Sequence, residues 1–133
     1  MNYKLIYDRD SFVEKMQDRG YDLTDPSVLD HSHFETQEDA IDDFLQIAFD
    51  KIYELVREYR GNHWTKKFME DMQHDDLTGD ALEYQTTLKE AIVEQAVFIW
   101  DNGDKEASSD SKDERLVYSP IAVKKLWGLV IRG

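Results

Sequence analysis

The sequence predicts an all-α fold: a small helical bundle with two long antiparallel helices, shorter flanking helices and an extended C-terminal tail. Two stretches, 37–60 and 80–101, repeat apolar side chains every three or four positions, the period of one helix face. Both end on glycine signals, Gly61 and Asn102-Gly103. A third signal, Ser119-Pro120, reads as an N-cap with proline at the first helical position.

Five segments follow in order. The first runs near Asp10 to Arg19, with Ser11 and Glu14 spaced as a capping box and Gly20 as a left-handed stop. Phe12, Val13 and Met16 give it an apolar stripe. A polar loop with Pro26 leads to Thr36, the expected cap of the second segment. Ile41, Phe44, Leu45, Ala48, Ile52, Leu55, Val56 and Tyr59 form its stripe. Asp39, Asp42 and Asp43 sit in its early turns and Arg57 and Arg60 in its last, both favoured by the helix dipole.

The third segment, Thr65 to about Gln73, is expected to turn Trp64, Phe68 and Met72 inward. The fourth carries Ala81, Tyr84, Leu88, Ala91, Ile92, Gln95, Ala96 and Ile99 on its stripe. Val93, Val97, Phe98 and Trp100 make its end apolar almost all round, so that end is expected to be the most buried. Gln95, polar on this stripe, is expected to hydrogen-bond inside the bundle. Residues 102–118 read as a mobile loop, and the last helix, Ile121 to Trp127, ends at Gly128. The division is thus a helical domain, 1–128, and a docking tail, 129–133.

Composition narrows the function. The chain has 133 residues, the length of one domain, 41% of them hydrophobic and 34% charged. It has no cysteine, which excludes disulfides, thiolate metal sites and cysteine nucleophiles and fits a reducing compartment. The opening residues, Met1 to Asp8, lack the apolar core of a signal peptide. The longest uninterrupted apolar run, Ala96 to Trp100, is far short of a membrane span, so no membrane partner is expected. A net charge of −13 argues against wrapping nucleic acid.

The charge is unevenly spread. Between Arg19 and Lys51 stand nine carboxylates, from Asp22 to Asp50, and no Lys or Arg. From Arg115 onward the only charged residues are Arg115, Lys124, Lys125 and Arg132. An acidic body with a basic end can attract another copy of itself or an acidic partner.

No constellation points to catalysis. Asp30, His31, His33 and Glu35 are the densest group of metal-ligating types, but two histidines two apart need further ligands from elsewhere, and a polar loop accounts for them. Asp71 and His74 have half the spacing of a di-iron motif, whose other members the long helices lack. Asp101 to Glu106 does not match the twelve-residue calcium loop. Neither a phosphate-binding glycine loop nor a nucleophile elbow is present. The sequence therefore predicts no catalytic residue, no cofactor and no metal. The expected partner-binding residues are Lys124, Lys125, Trp127, Leu129, Val130, Ile131 and Arg132. They combine two lysines with a charge-poor, β-branched end suited to adding a strand or filling a groove.

From Glu90 the chain reads Glu-Ala-Ile-Val-Glu-Gln-Ala-Val-Phe-Ile-Trp-Asp-Asn-Gly-Asp. After a spacer come Leu116-Val117-Tyr118-Ser119-Pro120-Ile121-Ala122 and Leu126-Trp127-Gly128-Leu129-Val130-Ile131-Arg132-Gly133. This resembles the head–tail connector (adaptor) proteins of long-tailed bacteriophages, over about residues 36–133. The shared features are an Ala-x-x-x-Gln helix core with an aromatic end, a variable loop, a Ser-Pro helix and an ending near Arg-Gly. Gly128-Leu129 and Arg132-Gly133 match most closely, and the first 35 residues have no counterpart.

The resemblance implies a virion protein assembled in the host bacterial cytoplasm. It implies self-association into a ring, commonly of twelve, beneath the portal protein. Such a ring offers a platform to tail, stopper or terminator proteins, and DNA passes through without specific binding. An acidic channel wall suits that role, because it repels DNA and lets it slide. Two other classes compete. An acidic DNA mimic or small regulatory inhibitor would use rows of exposed carboxylates, and a metal-dependent enzyme would rest on His31 and His33.

Overall fold

The computed structural model describes residues 6–23, 37–74, 76–101 and 118–128. Five helices lie in them: α1 (Arg9–Asp18), α2 (Gln37–Arg60), α3 (Asn62–Asp71), α4 (Gly79–Asp101) and α5 (Pro120–Leu126). The described residues contain no strand, and the fold is an all-α bundle. None of these helices is long and apolar enough to cross a membrane.

The two long helices form the frame. Ile41, Leu45, Ala48, Ile52, Leu55 and Val56 of α2 are buried, as their spacing predicts. They join Leu88, Ala91, Ile92, Ala96 and Ile99 of α4 in one core. Phe44, near the start of α2, meets Trp100, at the end of α4, edge-to-face with centroids 5.9 Å apart. The start of one helix thus lies against the end of the other, the expected antiparallel arrangement. Burial along α4 is nearly continuous from Ala91 to Val97, so its second half is indeed its most enclosed part.

Some inward assignments change. Tyr59 is 52% exposed, because α2's last turn runs past the core. Ala81 and Tyr84 are only half-buried, at the end of α4 away from α1 and Trp100. Phe49, outside the predicted stripe, is buried.

The short helices differ more. In α1 the cap is Asp8, not Ser11: the Asp8 carboxylate accepts the Ser11 amide at 3.0 Å. Phe12 and Met16 are fully buried, and Gly20 adopts φ 91°, the left-handed stop its position suggests. Gly61, at φ 86°, lets the chain leave α2 and enter α3 at once, so α3 starts at Asn62 rather than Thr65. Its inward face is Thr65, Met69 and, just past its end, Met72. Trp64 and Phe68 are half-buried and stack on each other, centroids 5.1 Å apart and nearly parallel, with the Arg60 guanidinium 4.0 Å above Trp64. Phe68 also meets Tyr84 of α4 edge-to-face, centroids 6.4 Å apart, so the stack packs at the margin of the core while Thr65 and Met69 take the fully buried positions.

Candidate docking surfaces

Helix α5 is short, and its position is set by three local devices. Ser119 caps it, its hydroxyl accepting the Ala122 amide at 3.2 Å, and Pro120 occupies the first turn. The Ser119 amide donates to the buried Gln95 side chain at 2.8 Å, which ties the helix start to α4. Ala122 and Leu126, one turn apart, are fully buried. Just before the helix, the Tyr118 hydroxyl donates to Glu58 of α2 at 3.2 Å. Partial burial, with Glu54 and Glu58 beside it, pushes that hydroxyl well above the usual tyrosine range.

With Leu126 held inward, the remaining α5 side chains flank it. Lys125 reaches Glu90 of α4 at 3.4 Å, and Lys124 is exposed. Trp127 is 43% exposed and lies edge-on to Tyr59, centroids 5.3 Å apart. Ile121 is also exposed. Of the sequence-predicted partner-binding residues, Lys124, Lys125 and Trp127 therefore share this one helix end. Leu129, Val130, Ile131 and Arg132 lie outside the described residues, as does the loop expected at 102–118 apart from Tyr118. Tyr59 was expected in the core, and instead it completes an aromatic pair with Trp127 at the surface.

A second surface lies between α1 and α4. Arg19 grips Glu94 with two nitrogens, at 2.7 and 3.2 Å from the two carboxylate oxygens. Glu94 is only 5% exposed, so this pairing satisfies a carboxylate that burial would otherwise penalise. About two turns further along α4, the Tyr21 hydroxyl donates to Asp101 at 2.8 Å. This bond, foremost, raises the tyrosine's pKa. At the other end of α1, Arg9 pairs with Glu38 and Asp42, four residues apart on α2.

These contacts border a groove of about 440 Å³. Ser11, Lys15, Asp18 and Arg19 line its α1 wall. Lys89, Glu90, Val93 and Glu94 line the α4 wall, with Lys125 at the edge. The Lys89 ammonium stands 5.5 Å over the Tyr7 ring. Burial first, then Asp8, Glu14 and Glu90, drives the Tyr7 hydroxyl far above its ordinary value.

Among the described residues no three His, Cys, Asp or Glu side chains converge as metal ligands, Asp71 and His74 included. Asp30, His31, His33 and Glu35 lie outside the described residues. The site residues that sequence reasoning missed, Arg19, Glu94 and Lys89, are charged positions whose partners lie far away in the chain. Comparison with protein-family models, curated proteins and solved structures finds no match to this chain.

Proposed function

We propose that this chain is a structural virion protein, a head–tail connector that forms a ring beneath the portal and offers a platform for tail attachment. The observation that carries this reading is α5. A seven-residue helix is locked to α4 by a buried hydrogen bond and by Leu126, yet turns Ile121, Lys124 and Trp127 outward. A helix held this firmly and left apolar outside suits presentation of a surface to another protein. The sequence that continues from it, Leu129-Val130-Ile131-Arg132, is suited to pairing by backbone hydrogen bonds with a portal or a neighbouring subunit. The resemblance of residues 36–133 to connector proteins supports the same role.

The −13 charge fits a channel through which DNA moves without being held. A second reading, an acidic DNA mimic, is favoured by one observation. Asp39, Asp43 and Asp50 line the face of α2 opposite its core stripe. Electron microscopy of the purified chain, alone and mixed with the portal protein of the same phage, separates the two. Rings with an open axis, alone or seated on portals, support the connector. A small, ring-free particle that binds and inhibits a DNA-processing enzyme favours the mimic.

A further inference from the structure

We infer that the groove between α1 and α4 receives the acidic face of α2 from a second copy of this chain. The inference rests on the connector reading and identifies the contact between neighbouring subunits.

The groove departs from the charge of the rest of the molecule. In a chain with 16 basic and 29 acidic residues, its lining holds four cations, Lys15, Arg19, Lys89 and Lys125, against three carboxylates. Two of those carboxylates are already engaged, Glu94 by Arg19 and Glu90 by Lys125. Lys15 and Lys89 form no ion pair among the described residues, and of the three lining carboxylates Asp18 alone is left to offset them, with Asp8 near Lys89 outside the lining. Such a lining favours an incoming row of carboxylates.

The chain itself carries the matching row. On α2, positions 39, 43 and 50 recur at four and seven residues, so Asp39, Asp43 and Asp50 share one outward stripe. Asp43 and Asp50 are about 10 Å apart along the helix, at 1.5 Å per residue. Ile47, beside the stripe, is 40% exposed and supplies an apolar contact. Groove and stripe do not overlap, since α1, α4 and α5 build the first and α2 alone builds the second. One copy can therefore offer its groove to one neighbour and its stripe to another. That is a head-to-tail contact, the kind that closes into rings when the rotation between copies allows it.

A charge swap tests this. One variant carries Lys15→Glu and Lys89→Glu; the other carries Asp43→Lys and Asp50→Lys. Sedimentation velocity is measured on the parent, on each variant and on their equimolar mixture, at low and at high salt, with circular dichroism as the check on folding. The parent should self-associate at low salt and less at high salt, as screening shortens the reach of these charges. Each variant alone should associate at least about tenfold more weakly, since like charges then face each other. The mixture should recover association, because an acidic groove then meets a basic stripe and a basic groove an acidic one.

Parent-like association by either folded variant alone, or no gain on mixing, overturns this assignment. If the parent still forms rings, the connector reading survives that outcome and the subunits meet elsewhere. A parent that stays monomeric at every salt concentration overturns the assignment as well. In that case the connector reading is decided by whether the chain occurs in virions. Should a variant lose its helix content, Lys15→Gln with Lys89→Gln replaces it, and undiminished association in that form overturns the proposal equally.

Discussion

Ser119 and Gln95, on separate helices and 24 positions apart, are joined by a buried hydrogen bond of 2.8 Å between the Ser119 amide and the Gln95 side-chain oxygen. It ties the start of α5 into the core, where Gln95 is fully buried. Gln95→Leu keeps the volume but leaves the amide without its acceptor. The cost should be about 1–3 kcal/mol. Hydrogen exchange should show the loss first at the Ser119 and Ala122 amides, with α2 still protected. Equal loss of protection along α2 and α4 would show that this bond supports the whole bundle rather than α5 alone.

The antiparallel frame makes a stronger demand. Leu55 and Ile92 are buried on facing helices, and each truncation to alanine should cost about 2–5 kcal/mol in chemical denaturation. Parent-like stability in both variants would mean that the stripes do not face each other.

Arg19 and Glu94 pose a different test. Arg19→Ala strands a buried carboxylate, at a cost towards the lower end of about 1–3 kcal/mol, since the Arg19 side chain is partly exposed to solvent. Adding Glu94→Gln should recover part of that loss, because a neutral amide is cheaper to bury than a carboxylate. A double variant less stable than Arg19→Ala alone would contradict the pairing.

The Asp8 cap gives a pH dependence of definite sign. Partial burial acts to raise its pKa, but hydrogen bonds from Ser11, with Lys89 nearby, outweigh it and leave the carboxyl below the ordinary aspartate range. A carboxylate with a lowered folded-state pKa adds stability that is fully present above its unfolded pKa. That stability is lost as pH falls through the folded value. Asp8→Ala should therefore cost about 1 kcal/mol at neutral pH. The gap to the parent should close in acid, and a gap that persisted there would assign Asp8 a role other than capping through its charge.

What could be read in advance followed the range of each interaction. The bounds of α2 match the prediction because a strong period and Gly61 are local signals. The same holds for Ser119 and Pro120, whose capping chemistry spans four residues. On α3 Met72 is buried as its spacing predicts, while Trp64 and Phe68 stay at the core margin, stacked on each other and, through Phe68, against Tyr84, which spacing does not reveal. Nor does the sequence reveal that Glu94 is buried, since its partner Arg19 lies 75 positions away. Gln85 is similar. Its amide donates to the Met72 and His74 carbonyls at 2.9 and 2.7 Å, and so fastens the turn after α3 to α4. Of the end of α5, the residue types were legible. The Tyr59–Trp127 pair was not, because it forms only once α5 folds back beside α2.

The connector reading is tested most directly by the composition of virus particles. Quantitative mass spectrometry would be applied to purified virions, and to separated heads and tails, of the phage that this reading requires as the source of the chain. The account predicts the chain in virions and in heads that carry the portal, in the fixed copy number of a ring and absent from free tails. Virions that are complete and infectious without it would contradict the account.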